Sequence, residues 1–173
     1  DLISENNNKQ IMVLSHKRDL LDYLEGEISR IEFATCGQYV GGMKQTALQT
    51  SETKQIVLAT YAMAAEALDI KTLNTLVMVS PKTDIVQSVG RILRTRGDGK
   101  IIVDIVDSHD VFQNQWKKRR AFYKKSEYCI KMISSGEYTD MTNVESWKVV
   151  FDPSTKKGKK KECDDMPKCL LDI

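Results

Sequence analysis

The chain lacks the cysteine patterns that hold metals or staple small secreted domains. Cys36, Cys129, Cys163 and Cys169 are scattered, with no C-x-x-C pair and no histidine at ligand spacing, so neither a zinc site nor a disulfide framework is expected. Thiols in this arrangement fit a reducing compartment best. Long apolar runs are missing as well. None approaches the roughly 18 residues needed to span a bilayer, and no stretch resembles a signal peptide. The expectation is a soluble, intracellular protein of cytoplasm or nucleus with no membrane partner. An excess of one charge is also absent. The formal net charge is +2, which does not by itself predict a nucleic-acid partner, so any electrostatic footprint must come from local clustering.

What is present is a patterned globular sequence. The 173 residues are 41% hydrophobic and 29% charged, too apolar for a disordered chain and sufficient for one compact core with a tail. Short runs rich in Ile, Val and Leu recur, each followed by helical periodicity. IMVLS (11 to 15) precedes HKRDLLDYLEGEI, QIVLAT (55 to 60) precedes YAMAAEAL, TLVMVS (75 to 80) precedes TDIVQSVGRILR, and KIIVDIVD (100 to 107) precedes a long segment from 109. Runs apolar on consecutive positions suit strands buried on both faces, and strands alternating with helices predict a parallel sheet with crossover helices. A fifth strand is expected near CGQYV (36 to 40). The fold class is therefore α/β, a three-layer domain with a mostly parallel sheet over residues 10 to 135. Residues 1 to 9 are polar, carry no initiator methionine and read as a linker trimmed from a longer chain. Residues 136 to 173 read as an extension whose charged end, from Ser154 onward, stays flexible.

Ligands of open parallel sheets sit at the carboxyl ends of the strands, where helix N-termini present unpaired amides. Four places qualify: Ser15 to Arg18, Gly41 and Gly42, Thr60 onward, and Ser80 to Gln87. The last runs into QSVGRILR (87 to 94). At 100° per residue Ile85, Val86, Val89, Ile92 and Leu93 share one arc, and Gln87, Gly90, Arg91 and Arg94 share the opposite one. Gly90 on the polar arc costs about 1 kcal/mol of helix stability relative to Ala, and its missing side chain lets another surface approach the backbone. Arg91 and Arg94 are permanently charged and present planar donor forks that match phosphate oxygens. A solvated helix face that happens to hold two arginines fits the spacing equally well.

This stretch resembles motif VI of the superfamily 2 helicases, matching the pattern Q-x-x-G-R-x-x-R at every fixed position. Upstream, IVLATYAMAAEALDIKTLNTLVMVSPKTD resembles motif V and the strand joining it to motif VI. IMVLSHKRDLLDYL resembles motif IV, and QYVGGMK resembles the glycine-containing strand end that follows it. The resemblance covers residues 10 to 108 in the family's order and identifies a second, RecA-like lobe. Its flavour is most similar to XPB-like duplex-DNA translocases, including the transcription helicases of large DNA viruses. It implies ATP and Mg²⁺ as cofactors, both held mainly by an N-terminal RecA-like lobe of the same chain. It also implies DNA as the nucleic-acid partner, with the transcription machinery and a viral replication site or virion as the setting.

Residue by residue, the resemblance implies that Arg91 and Arg94 are arginine fingers on the γ-phosphate, with Gln87 orienting the cluster or the attacking water. Asp69 would accept a hydrogen bond from the nucleotide ribose, although a turn or N-cap aspartate is an equal reading. The position before Leu68 is often glycine in the family and is Ala67 here, which puts the local backbone in question. Thr60 would bond a backbone phosphate, with a helix cap as the alternative. Ser15, Lys17 and Arg18 would offer amides and positive charge, and Gly41 and Gly42 a close backbone approach beside Lys44, unless they form only a tight turn. All of these contacts are to phosphate, so binding should be insensitive to sequence and weakened by salt.

Residues 109 to 133 are expected to form one long helix, a basic C-terminal helical extension to the lobe. Between residues 117 and 131, Lys117, Lys118, Arg119, Arg120, Lys124, Lys125 and Lys131 are opposed only by Glu127. Lys117 and Arg120 are the nucleic-acid candidates, because aromatic residues are interleaved with the charge. WKVVF (147 to 151) could add an edge strand. No GxxxxGK[ST] phosphate loop and no DExD or DExH box occurs in the chain, so these residues alone are expected to lack ATPase activity. Besides the DNA motor lobe, an RNA helicase lobe of the same superfamily and a stand-alone nucleic-acid-binding module without ATPase activity remain open.

Overall fold

The computed structural model describes residues 2–5, 10–67, 70–86, 89–90, 99–141, 143–156 and 168–172. Within them eight strands form one sheet: β1 Gln10–Ser15, β2 Cys36–Tyr39, β3 Ile56–Thr60, β4 Leu73–Met78, β5 Ile101–Ile105, β6 Cys129–Ile133, β7 Lys148–Phe151 and β8 Lys168–Asp172. The order is β2-β3-β1-β4-β5-β8-β6-β7. Every pairing is parallel except β6 with the edge strand β7. The five predicted strands and the edge strand at WKVVF are all there.

The helices are α1 Leu2–Glu5, α2 Arg18–Ile28, α3 Gln45–Glu52, α4 Tyr61–Ala67 and α5 Asp110–Lys125. Alternation along β1 explains the layering. Met12 and Leu14 point into a cluster with Leu48 of α3, Tyr61 and Ala64 of α4, Ile85 and Val89, and Trp116 and Tyr123 of α5. Ile11 and Val13 point to the other side, where Leu21, Leu24 and Ile28 of α2 and Leu2 and Ile3 of α1 cover them. Successive side chains of a strand face opposite ways, so a strand apolar at every position needs cover on both faces. Among the described residues no helix is long and apolar enough to cross a membrane.

Three expectations need correction. The helix predicted over 109 to 133 stops at Lys125. Glu127 turns left-handed at φ 60, the Glu127 amide donates to Lys124 O at 3.2 Å and the Tyr128 amide to Tyr123 O at 3.0 Å. That bond pair is a Schellman stop. Its accompanying hydrophobic contact is the edge-on packing of Tyr128 against Tyr123, with ring centroids 6.0 Å apart. The apolar residues beyond it, CIKMI, form β6 instead. The tail expected to stay flexible contributes β8, which inserts between β5 and β6, while 157–167 lie outside the described residues. No disulfide was expected, yet Cys129, fully buried at the start of β6, is disulfide-bonded, and Cys36 is free.

Helix α3 escapes sequence reading because its polar run QTALQTSE buries only Leu48 and Ser51. It reaches the sheet through Gly37 of β2, where an added Cβ would lie 2.9 Å from Ser51 Oγ and 3.0 Å from Ser51 Cα.

Candidate functional site

The order β2-β3-β1-β4-β5 sends the chain one way from β1 and the other way from β4, which makes their carboxyl ends the topological switch point at which ligands of such sheets bind. Ser15 closes β1 and is paired in register with Thr60 at the end of β3. Ser15 is fully buried, and its Oγ accepts the Lys17 amide at 3.0 Å. Its hydroxyl is buried at the turn that leads into α2. Lys17 and Arg18 are exposed at the start of α2. The Arg18 guanidinium crosses to donate to Gly41 O beyond β2. Gly42 holds φ +88 with nothing near its missing side chain, a conformation that favours glycine. Exposed Lys44 immediately precedes α3. Thr60 Oγ1 accepts the Met63 amide at 3.5 Å, a long cap on α4. The fold thus brings Ser15, Lys17, Arg18, Gly41, Gly42, Lys44 and Thr60 to one edge of the sheet.

Next to this group the loop from Ser80 to Asp84 is tied down from several sides. The His16 amide donates to Ser80 Oγ at 2.8 Å, and Tyr61 OH donates to Ser80 O at 2.7 Å. The His16 ring lies 4.5 Å from the Tyr61 ring, and Lys82 Nζ sits 4.8 Å above that same ring. Burial and the adjacent Lys82 charge both lower the His16 pKa. Burial, with Asp104 adding to it, pushes the Tyr61 phenol well up, so it stays a neutral donor.

Beyond the loop a helical turn begins. Ile85 and Val89 are buried, and the Val89 amide donates to Ile85 O at 2.8 Å. Val86, assigned by periodicity to the apolar arc, is 54% exposed. Gly90 is exposed, and an added Cβ there would meet nothing within 4 Å. The predicted residues Gln87, Arg91, Arg94 and Asp69 lie outside the described residues.

The basic helix divides. Lys117 is exposed and hydrogen-bonded to Asn114 at 3.1 Å. Arg120 is half-buried, and its Nε has no hydrogen-bond partner among the described residues. Arg119 does not belong to the surface patch: it is fully buried. Its Nε and Nη2 donate to the two carboxylate oxygens of Asp104 at 2.7 and 2.9 Å, and Nη1 donates to Lys82 O at 2.9 Å. Tyr123 OH adds a third donor to Asp104 at 3.1 Å. Lys131 likewise sits buried in β6.

Burial pushes the Asp104 carboxyl up, against the pull of Arg119 and Tyr123. At Arg119 burial works downward, but Asp104 outweighs it and holds the guanidinium above its ordinary value. Sequence reasoning missed this network, although two signals were available. Asp104 is a lone charge in the apolar run IIVDIV, and a buried carboxylate requires a partner. Arg119 also falls between Trp116 and Tyr123 on the buried side of α5.

A cavity of about 610 Å³ opens on the α1 and α2 side of the sheet, lined by Ile11, Val13, Val77, Val103, Tyr138 and Trp147 among others. It is apolar and holds none of the predicted site residues.

The family described as helicase conserved C-terminal domain matches residues 1–96. The chain belongs to that family. The match contains motifs IV, V and VI as read from the sequence, and ends just after the QSVGRILR octapeptide. The sequence is 42% identical over 127 residues to a protein of Acanthamoeba polyphaga mimivirus carrying the provisional name ATP-dependent RNA helicase L396, across 70% of this chain and 24% of that protein. It is 33% identical over 94 residues to the African swine fever virus protein provisionally named ATP-dependent RNA helicase QP509L, across 52% of this chain and 18% of that protein. The helicase lobe thus spans about a quarter or less of these relatives.

Solved structures with the same fold include the C-terminal part of the Fun30 ATPase domain, with TM-score 0.56 and 12% identity over 67% of this chain and 40% of that one. The Pyrococcus furiosus Hef helicase domain aligns with TM-score 0.53 and 19% identity over 68% of this chain and 26% of that one. The RecA-like α/β fold of a superfamily 2 C-terminal lobe is the common element.

Proposed function

We propose that this helicase C-terminal lobe is the second motor lobe of an ATP-dependent superfamily 2 helicase or translocase acting on DNA. The observation that carries the reading is QSVGRILR, which falls within the matched family segment and holds all four fixed motif VI letters. In this reading Arg91 and Arg94 reach across an interlobe cleft to the γ-phosphate and offset charge that builds in the transition state, while Gln87 orients the attacking water. Asp69 receives the ribose. The phosphate loop and the Mg²⁺ ligands are assigned to the N-terminal lobe, and no step here depends on them. The open surroundings of Gly90 support a surface onto which a second lobe can close.

Nucleic acid runs over the edge formed by Lys17, Arg18, Gly41, Gly42, Lys44 and Thr60, with Lys117 and Arg120 extending the basic track. Contacts there are to phosphate, so sequence preference is low. ATP-driven closing and opening of the cleft then moves the lobe along the strand. RNA is the second reading, favoured by the names of both viral relatives. The proposed setting is viral transcription, with the transcription machinery as partner, on the motif resemblance alone.

The test is ATP hydrolysis by the whole gene product with duplex DNA, single-stranded DNA and RNA in turn. Stimulation by DNA that falls steeply with salt supports the first reading, and selective stimulation by RNA replaces it with the second. Binding without turnover replaces both with a stand-alone binding module. The 173-residue chain by itself is expected to bind nucleic acid and to hydrolyse no ATP.

A further inference from the structure

We propose that Arg119 is a positioning residue for ATP turnover: it joins Asp104 of β5 to the Lys82 carbonyl and thereby sets where the helical turn that begins at Ile85 leaves the sheet, the turn from which the sequence runs on to Gln87, Arg91 and Arg94. The inference rests on the function proposed above.

A buried arginine that served only to neutralise Asp104 would need its two-point fork and nothing more. Here the fork occupies Nε and Nη2, and the remaining nitrogen, Nη1, reaches a different element, the loop between β4 and the helical turn that begins at Ile85. Lys82 lies three residues before Ile85, the buried first anchor of that turn. The Asp84 carboxylate then accepts the Val86 amide at 3.1 Å and orders the helix start. Between Ser80 and Ile85 the backbone has little freedom left. Ser80 is held by the His16 amide from the end of β1 and by the Tyr61 hydroxyl from the start of α4, and Lys82 is held by Arg119 from α5.

A displacement of the turn that begins at Ile85 would shift the segment that follows it in sequence, and misplacement of a group that stabilises charge is costly. The guanidinium suits this task because its planar donors are fixed relative to one another, whereas an ammonium is a single point. The same loop touches Tyr61, which directly follows Thr60, so the nucleic-acid edge and the arginine face share one tethered segment.

The experiment measures kcat and KM for ATP on the whole gene product, with wild type and Arg94→Ala as reference. Absent turnover in the wild type, or no effect of Arg94→Ala, overturns the proposed function and this inference with it. With those references in order, two variants decide the inference alone. Arg119→Lys keeps a cation but loses the fork. Asp104→Leu combined with Arg119→Met replaces the buried pair by apolar side chains, an exchange that is often neutral for folding, yet removes the tie to Lys82. Both are expected to lower kcat by roughly 10- to 100-fold with KM for ATP little changed. Wild-type kcat in a folded variant, or a loss of activity that merely follows a fall in melting temperature, overturns the proposal. Should neither variant fold, Tyr61→Phe removes only the hydroxyl tie to Ser80 O. Reduced kcat then supports the tethered loop, and unchanged kcat overturns it.

Discussion

Gly90 separates the two meanings of the polar helix face. Space around it is open, so Gly90→Ala should raise the stability of the chain, by up to about 1 kcal/mol for a helical position. If a second lobe closes on that backbone, the same methyl should lower turnover in the whole protein. Thermal melts and ATPase rates on one variant check both signs. If both quantities rise, the solvated-face reading wins. His16 offers a second residue-scale test, by NMR titration of its imidazole. Its pKa is depressed by burial first and by Lys82 second, so its midpoint should fall below 6.5, and Lys82→Ala should raise it part of the way back. The sign follows from linkage: the folded state binds the proton less readily than the unfolded chain. His16 therefore costs stability as pH falls through its unfolded value, and has no such effect above it.

At the scale of elements, the sequence pattern revealed β1 to β5, β7 and most of the described helices, because runs apolar at consecutive positions need cover on both faces, but it read β6 as helix and β8 as tail. It failed where tertiary context decides. The stop after Lys125 depends on Glu127 adopting a left-handed turn, which no glycine or proline announces. Helix α3 carries one buried apolar residue, too few for a period. Arg119 was counted with its charged neighbours, although its position between Trp116 and Tyr123 placed it inside. The inward setting of Arg119 has a stability consequence. Asp104→Ala leaves a fully buried guanidinium without its carboxylate and should cost about 3 to 5 kcal/mol, measured by denaturant unfolding. A cost near zero would mean that the pair is not buried as described. Removing both charges together should cost far less, since no orphaned charge remains.

For the whole molecule, the gathering of the described candidate residues was legible because they are local in sequence: each strand end carries its own short motif, and a parallel sheet gathers those ends on one edge. Lys17, Arg18, Gly41, Gly42, Lys44 and Thr60 meet there as the topology requires. Harder to read is the network beneath that edge, since Asp104 and Arg119 each carry a local sign of burial but their joining with Lys82 and Tyr61 brings together four separate segments. Nor do parallel strands by themselves say which nucleic acid the proposed edge would take. The decisive measurement is ATP turnover of the whole gene product with Arg94 replaced by alanine, alongside ATP binding. An arginine finger predicts a loss of about 10³-fold or more in kcat with nucleotide still bound. Turnover equal to wild type would contradict the claim that this helix face meets the triphosphate.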